Sequence, residues 1–365
     1  MKFLHTADLH IGKRTEGRSR LSEQQSALSR IVEIAREEKI DLALIAGDVF
    51  DVPSPSAEAK RTFYRFALEL SSVCSVVAIS GNHDSAADLS APNDLAEAAD
   101  IRLIGAPERL TYIAHGEKIN VGALPYPDEA VLRGYDGEFS DRVKAYISEY
   151  TSHFEQGENN ILLSHLFMTG SSEEADENTL GPARMLPKTV LPEDCYSALG
   201  HIHKPSAVSK SRNAYYSGSP LNYHFDGDND KSVIVAEMSG GKVIDVRRIP
   251  IGCGRKLVTE EATDFAGAVE ALGRNEGNLV KLRYVSRLPL GMTEIKELRS
   301  YECFVKLEPI IKQETGERTE SLKTKSDDEL FAMYYENYYH EKPTDGIMSL
   351  FAKILSAAKG EQCDR

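Results

Sequence analysis

The sequence predicts an α/β protein: a four-layer α-β-β-α sandwich, followed by a small α+β domain and a C-terminal helical hairpin. Two observations predict this fold class. Up to Pro250, aliphatic runs of strand length alternate with segments whose apolar residues recur at the spacing of a helix. Beyond Pro250 the chain changes to a compact alternation of short strands and helices, then to a polar stretch, and then to two amphipathic segments.

The first part of the chain is predicted to form β-α-β units. Such crossovers are nearly always right-handed and give a parallel sheet, so we expect the first sheet to be largely parallel. The helix after Pro53 and Pro55 is expected to begin at Ser56, because a serine hydroxyl can cap the first turn. The predicted strands are residues 2–8, 41–46 and 73–80, and the predicted helices are residues 22–39, 56–72 and 86–99.

A second sheet is predicted from the shorter strands that follow. The turn at residues 115–117 suggests an antiparallel pair, and strands 232–238 and 242–250 are expected to close this sheet. The acidic run at residues 173–177 is predicted to be a solvated flap beside the site, because charge runs are usually exposed. The other predicted elements are strands 101–104, 110–114, 118–123 and 160–164 and a helix at 140–154.

The predicted domain organisation has four parts. Residues 1–250 form the core, 251–311 a small α+β capping domain, 312–326 a polar flexible linker, and 327–365 the helical hairpin. Two short helices on a tether cannot bury both apolar faces alone. We therefore expect them to dock on a partner; the alternative is that they pack back on the domains. The residues expected at that interface are Leu330, Phe331, Tyr334, Tyr338, Ile347, Phe351 and Ile354.

Five aliphatic runs end in residues that can bind metals or transfer protons. Ligand sites of open α/β sheets lie beyond the carboxyl ends of the strands, so these residues are expected to converge. Oxygen and nitrogen donors without a thiolate, in this number, exceed one tetrahedral zinc and suffice for two metals that share a carboxylate. The alternative at one ending is a plain Gly-Asn turn with a solvated histidine. The seven expected ligands are Asp8, His10, Asp48, Asn82, His165, His201 and His203.

Composition limits the cellular context and the kind of partner. The chain has 365 residues and no apolar run long enough to span a bilayer. Its five scattered cysteines suit a reducing compartment, and a strand that starts at Lys2 leaves no room for a cleavable signal, so we expect a cytoplasmic protein.

A formal charge of −14 argues against a simple nucleic-acid binder. Attraction to DNA would have to be local, or supplied by a partner. The local candidates follow the first and last ligand motifs, although ordinary solvated loop charges are an equally good interpretation of any one of them. These candidates are Lys13, Arg14, Arg18, Arg20 and Lys204.

The combined motifs resemble those of the calcineurin-like metallophosphoesterase superfamily. They are Asp8-x-His10, Gly47-Asp48-x-x-Asp51, Gly81-Asn82-His83-Asp84, His165 and Gly200-His201-x-His203. Within it, segments 1–12, 46–51, 198–205 and 216–220, the small domain and the terminal helices are similar to the bacterial SbcCD nucleases, counterparts of the Mre-type break-repair nucleases.

This resemblance implies two metal sites. Asp8, His10, Asp48 and His203 would hold one ion, and Asp48, Asn82, His165 and His201 the other, with Asp48 as the bridge. The ions would be Mn²⁺, with Mg²⁺ as the other possibility, which agrees with hard oxygen and imidazole ligands.

His83 and Asp51 are the predicted catalytic residues. His83 neighbours the ligand Asn82 and would donate a proton to the leaving 3′ oxygen or stabilise its charge. Asp51 would orient the His83 imidazole. Archaeal and eukaryotic relatives usually carry His at the position of Asp51, so the DNA-positioning role sometimes given to that His is not transferred here. His224 is left without a role.

The leading functional hypothesis is a manganese-dependent DNA exonuclease and endonuclease of repair, recombination and replication. It would act with an SbcC-like ATPase, because the chain has no Gly-x-x-x-x-Gly-Lys-[Ser/Thr] motif. The resemblance implies a homodimer of this chain within a heterotetramer, in a bacterium and associated with the nucleoid. The alternatives are a small-molecule phosphodiesterase or phosphatase, and a catalytically inactive scaffold on the same fold.

Overall fold

The structure, a computed structural model, describes residues 1–169, 185–225, 227, 229–311 and 326–359. The chain separates into two compact units, Met1–Ile310 and Ile311–Arg365. The predicted acidic flap at 173–177 and nearly all of the predicted linker at 312–326 lie outside the described residues. Among the helices of the described ranges, none combines the length and apolar character needed to cross a bilayer.

The larger unit contains seventeen described strands, most of them in two six-stranded sheets. In chain order the strands are β1 Lys2–Thr6, β2 Arg14–Thr15, β3 Arg18–Ser19, β4 Leu42–Ala46, β5 Ser75–Ile79, β6 Ile101–Ile104, β7 Glu108–Ala114, β8 Glu117–Leu124, β9 Asn159–His165, β10 Tyr196–Gly200, β11 Ser206–Ser209, β12 Ala214–Tyr216, β13 Ser232–Ser239, β14 Lys242–Pro250, β15 Leu257–Ala262, β16 Leu279–Ser286 and β17 Phe304–Ile311. The first sheet has the order β14-β13-β1-β4-β5-β6 and the second has the order β11-β12-β10-β9-β8-β7.

The helices cover the outer faces of the two sheets, which makes the predicted four-layer arrangement. Strand residues alternate between faces: Phe3 packs in the core between the sheets, whereas Leu4 packs in the core under α1 and α2. Helix α5 shares a third core with the second sheet. The α-helices of this unit are α1 Leu21–Glu38, α2 Ala57–Ser71, α3 Ala86–Ser90, α4 Asn93–Ala96, α5 Phe139–Thr151, α6 Phe265–Gly273 and α7 Met292–Leu298.

Two predictions about this core were wrong in detail. Strands β13 and β14 belong to the first sheet, because β13 pairs antiparallel with β1 from Lys2↔Glu237 to His5↔Ile234. The predicted single helix at 86–99 is three short helices, α3, α4 and the 3-10 helix Glu97–Ala99. Pro92 precedes α4 and has no backbone N–H to continue the helical ladder, which explains the break.

Beyond Pro250 the predicted β-α-β-α-β order is present as β15, α6, β16, α7 and β17, with a small core of its own. This module contacts the hairpin of β2 and β3. Arg18 donates to the backbone carbonyls of Glu302 and Phe304, and Lys306 Nζ lies 2.7 Å from Glu16 Oε1. Residues Met1–Ile310 form one compact unit, so the proposed domain boundary near residue 250 stays a prediction.

The smaller unit contains the expected helical hairpin. Helix α8 (Asp327–Tyr339) begins with a capping box between Ser326 and Glu329, and α9 (Asp345–Lys359) follows. The rings of Phe331 and Phe351 stack with centroids 4.0 Å apart and join the two helices. Of the residues predicted to bind a partner, Tyr334, Tyr338 and Ile354 are exposed.

Candidate metal centre

All seven predicted ligands lie together beyond the carboxyl ends of the parallel strands. Strands β1 and β4 of the first sheet run parallel, as do β9 and β10 of the second. Each therefore delivers its terminal residues to the same edge of the sandwich. The loop after β5 adds Asn82 and His83, and Asp84 ties this loop to the one after β4.

The first group of donors surrounds His10. Its Nε2 atom lies 3.0 Å from Nε2 of His203 and 3.7 Å from Oδ2 of Asp48. Asp8, His10 and His203 offer ligand atoms that all lie within 4.8 Å of one another. Two atoms that bind one divalent cation at about 2.1 Å and at right angles are separated by about 3.0 Å, which matches the closest of these spacings.

The second group surrounds Asn82. Its Oδ1 atom lies 3.0 Å from Nε2 of His165 and 3.0 Å from Nδ1 of His201. The same His165 nitrogen is 3.4 Å from Oδ2 of Asp48. One carboxylate oxygen of Asp48 thus faces donors of both groups, as a bridging ligand requires.

Several of these ligands stand on strained backbone. Asp8, His10, Asp48 and His201 have positive φ angles of 53°, 43°, 50° and 106°. A non-glycine residue held in this way costs on the order of 1–3 kcal/mol, and such residues cluster at functional sites. The neighbouring glycines allow the loops to approach closely, since a Cβ atom on Gly81 would meet Asp48 and one on Gly200 would meet the Ala46 carbonyl.

Burial makes charge costly throughout the cluster. It raises the pKa of the Asp8 carboxyl to about 7 and lowers the pKa of His201 to about 3. Burial also opposes protonation of His165, but the carboxylates of Asp48 and Asp8 outweigh it and raise the pKa of that imidazole to about 9. Two buried carboxylates side by side therefore favour a positive charge between them.

A second observation supports the binding of divalent cations by these residues. Among the described residues, the buried polar atoms of the cluster that have no hydrogen-bond partner include Asp8 Oδ2, His201 Nε2 and His203 Nδ1. An unsatisfied buried polar atom costs on the order of 1–3 kcal/mol, and cation ligation removes that cost. The donor set is oxygen and imidazole, which divalent Mg²⁺, Mn²⁺ and Zn²⁺ accept. The role of the seven residues as ligands stays a prediction.

His83 lies at the cluster, and Asp51 contacts it through the main chain. The His83 Nδ1 atom is 2.9 Å from the backbone carbonyl of Asp51, so Nδ1–H donates to that oxygen. The Asp51 carboxylate lies 3.5 Å from His10 Nδ1 and 3.0 Å from Lys13 Nζ. The backbone of Asp51 thus contacts the imidazole while its side chain faces the loop of His10, and the orienting role of Asp51 in catalysis stays a prediction.

Asp84 is a positioning residue whose role the sequence analysis missed. Its carboxylate accepts backbone N–H groups of Val49, Phe50 and Gly81 at 3.0, 2.8 and 2.9 Å. It thereby fixes the loop that carries Asp48 against the loop that carries Asn82. The signal was present, since Asp84 ends the Gly-Asn-His-Asp motif.

A second missed residue is Lys231, which is buried and donates from Nζ to the carbonyl of His203 at 2.9 Å. Lys231 lies far from the ligand motifs in sequence. No local pattern indicated it.

The basic residues that were predicted to contact DNA have different environments in the structure. Arg20 is fully buried, and its guanidinium binds Glu23, the Thr15 hydroxyl and two backbone carbonyls. The prediction for Arg20 was therefore wrong, because a buried and saturated guanidinium cannot reach a phosphate. Arg18 contacts the small module, Arg14 donates to the Gly17 carbonyl, Lys13 pairs with Asp51, and Lys204 is half-buried beside His203.

Comparisons with known proteins agree with this geometry. The sequence model of the calcineurin-like phosphoesterase family matches residues 1–205. The SbcD subunit of nuclease SbcCD from Bacillus subtilis strain 168 is 31% identical over 388 aligned positions, which cover 99% of each chain. The SbcD subunit of nuclease SbcCD from Escherichia coli strain K12 is 28% identical over 274 positions, covering 69% of this chain and 68% of that one.

A solved structure of GAP50, the anchor in the inner membrane complex of Plasmodium, has a TM-score of 0.41. It is 11% identical and covers 80% of this chain and 98% of the other. At that score the likeness carries no functional inference. The family match over more than half of the chain, and the full-length relative at 31% identity, show that the chain belongs to the calcineurin-like phosphoesterase family, in the group of SbcD proteins.

Proposed function

We propose that this chain is the nuclease subunit of an SbcCD-like complex and hydrolyses DNA phosphodiesters with two bound metal ions. It would act as a double-strand exonuclease and as an endonuclease on single strands and hairpins, in DNA repair and recombination. The observation that carries the proposal is the pair of donor groups that share Asp48 Oδ2, in a chain whose full-length relative is named as a subunit of nuclease SbcCD.

Each donor group would hold one cation. Asp8, His10, Asp48 and His203 would bind the first ion, and Asp48, Asn82, His165 and His201 the second. The hard donors favour Mn²⁺, with Mg²⁺ as the other candidate. Divalent cations held there would activate a water molecule and neutralise charge on the phosphoryl oxygens.

His83 would deliver the proton that the leaving 3′ oxygen needs. Because its Nδ1–H donates to the Asp51 carbonyl, the ring orientation is fixed and Nε2 is the nitrogen that would serve the substrate. To act as an acid, the imidazole must carry protons on both nitrogens. The carboxylate of Asp51, bound to Lys13 and close to His10, would support the His10 side of the site as well.

Further parts of the proposal concern assembly. Residues 251–311 would form a capping domain, and the hairpin of α8 and α9 would dock on an SbcC-like ATPase through its exposed aromatic and aliphatic side chains. The chain would form a homodimer inside a heterotetramer and work in the cytoplasm of a bacterium. The basic residues Lys13, Arg14 and Lys204 would contribute locally to DNA binding in an otherwise acidic chain.

One assay tests the proposed chemistry. Purified protein is supplied with Mn²⁺ or Mg²⁺ and offered linear duplex DNA, hairpin DNA and bis(4-nitrophenyl) phosphate. We expect metal-dependent cleavage of the DNA substrates, measured on denaturing gels. Hydrolysis of the nitrophenyl ester alone would indicate a small-molecule phosphodiesterase. Failure to hydrolyse any of the three, with two metals bound, would indicate a scaffold.

A further inference from the structure

Three histidines of the candidate metal centre each pack against an aromatic ring that the proposed mechanism does not use. The distances between ring centroids are 6.2 Å for Tyr126 and His165, 5.3 Å for Phe167 and His201, and 5.7 Å for His224 and His203. The rings belong to the loops after β8 and β9 and to the turn that follows β12. We call Tyr126, Phe167 and His224 the aromatic rim.

The aromatic rim is more exposed than the histidines that it contacts. His165, His201 and His203 are 0%, 4% and 2% exposed, whereas Tyr126 and Phe167 are half-buried and His224 is exposed. The exposed parts of these rings are therefore within reach of a molecule bound beside the ligands.

His224 is exposed but is held on a braced turn. Its backbone N–H donates to Asn222 Oδ1 at 3.2 Å, and its carbonyl accepts the N–H of Gly227 at 3.1 Å. Asn222 is itself buried and donates from Nδ2 to Asn229 Oδ1 at 3.0 Å. Tyr126 is fixed in a similar way, since its backbone N–H donates to the Ser80 carbonyl at 3.0 Å. Ring positions fixed in advance lower the entropy lost when a ligand binds.

Aromatic faces next to a phosphodiester site suit one class of ligand, the nucleobase. Every base has a π-face, and stacking on a protein ring strengthens binding by about 5- to 100-fold per base. A base inside a duplex stack cannot offer its face to a protein ring, so contact requires an unstacked nucleotide.

We propose that the aromatic rim binds the bases of the nucleotides on either side of the phosphodiester that is cut, so that the enzyme acts on DNA unstacked at that point. This rests on the proposed nuclease function and adds the substrate form to it. Single strands, hairpin loops and melted duplex ends are the DNA forms that present such nucleotides.

The test combines variants with substrates that lack bases. Each protein is the full chain loaded with Mn²⁺ and is given a single-stranded oligonucleotide with one preferred cleavage site. The proteins compared are the wild type and the variants Tyr126→Ala, Phe167→Ala and His224→Ala. A second oligonucleotide is identical except for abasic nucleotides on both sides of that site. The ring-retaining variants Tyr126→Phe, Phe167→Tyr and His224→Phe keep the test decisive if an alanine variant is poorly folded. The control is His115→Ala, which replaces an exposed histidine in the turn between β7 and β8.

We expect the abasic substrate, which lacks two bases, to lower kcat/KM of the wild type by about 25-fold or more, mainly through KM. Each alanine variant should show part of this loss on the intact strand, about 5-fold or more, and a smaller further loss on the abasic strand, because one contact is already missing. The ring-retaining variants and His115→Ala should keep the full base dependence.

Equal losses on both substrates would overturn the inference, since the rings would then only support the ligands. A wild type that ignores the missing bases would overturn it as well. A wild type that cleaves neither oligonucleotide while hydrolysing bis(4-nitrophenyl) phosphate would instead remove the proposed nuclease function, and this inference with it.

Discussion

Single side chains around the metal centre are held by main-chain as well as side-chain contacts. His83 is oriented by a backbone carbonyl, and the Asp51 carboxylate faces His10 and Lys13. A main-chain contact of this kind survives most substitutions at position 51. The two residues predicted to act together are therefore separable by mutation.

His83→Ala is expected to keep its metals and to lose cleavage by about 100- to 10,000-fold, because only the proton donor is removed. Metal content by elemental analysis and kcat on DNA check this prediction. His115→Ala serves as the control, since that imidazole side chain is 73% exposed and pairs with Asp41 in a distant turn. A His83→Ala protein without metal would assign His83 to the ligands.

His5 gives the fold a pH dependence that is separate from the metal centre. It is fully buried between the sheets, where Nε2–H donates to the Leu199 carbonyl at 3.1 Å and Nδ1 accepts the Tyr196 hydroxyl at 3.2 Å. Burial lowers the pKa of His5 to about 3 from 6.5. The folded state therefore keeps this imidazole neutral at a pH at which the unfolded chain protonates it.

This contribution to stability is complete above pH 6.5 and is lost as the pH falls from 6.5 towards 3, by about 1.4 kcal/mol per pH unit. His5→Gln can keep both hydrogen bonds without a titrating group. Between pH 7 and pH 5 the wild type should lose about 2 kcal/mol more unfolding free energy than this variant. Urea unfolding at the two pH values measures the difference. Parallel losses in both proteins would show that His5 is not the titrating group.

At the scale of elements, the ends of β4 and β5 are joined through one carboxylate. Asp84 accepts three backbone N–H groups and sets the spacing between the loop of Asp48 and the loop of Asn82. The strands themselves would form without it, since their residues are fully buried in the two cores that flank the sheet. Asp84 therefore affects the geometry of the site more than the formation of the fold.

Asp84→Asn is expected to weaken metal binding by about 10- to 100-fold, because an amide oxygen accepts these N–H groups less strongly and its NH₂ group meets other donors. Titration calorimetry with Mn²⁺ measures the affinity. Asp88→Asn is the matched control, since this exposed carboxylate in α3 pairs with Lys60 Nζ at 3.5 Å. Unchanged Mn²⁺ affinity in Asp84→Asn would show that Asp84 does not position the metal ligands.

In the whole molecule, the candidate metal ligands lie in one unit and the proposed docking surface lies in the other. All seven candidate ligands and four apolar cores lie within Met1–Ile310, whereas α8 and α9 lie within Ile311–Arg365. The stacked pair Phe331 and Phe351 holds the hairpin, which leaves Tyr334, Tyr338 and Ile354 on its surface.

Truncation before Ser326 is therefore expected to leave Mn²⁺ binding and hydrolysis of bis(4-nitrophenyl) phosphate intact and to abolish capture of the ATPase partner. A pull-down with the SbcC-like ATPase of the same organism measures capture. In the full chain, Tyr338→Glu should weaken capture without changing the metal chemistry, because a charge enters an apolar contact. Full capture by the truncated chain would place the interface in the larger unit.

Local sequence was enough to predict the strands that carry the ligands, the seven donors that meet at one edge and the order of the main elements, although not the short strands β2, β3 and β11. Periodicity and capping residues act over a few positions: Ser56, for example, accepts the Ala59 N–H within its own turn. Within each sheet, parallel strands then bring their endings to one edge.

The pairing of strands and the exposure of charges, in contrast, emerged from the folded chain alone. The attachment of β13 to β1, the burial of Arg20 against residues 222 and 255, and the contact of Lys231 with His203 all depend on neighbours remote in sequence. The backbone contacts of Asp84 and the aromatic rim depend in the same way on loops brought together by the sheets. Long-range packing selects these partners, and of these residues only Asp84 belongs to a local motif.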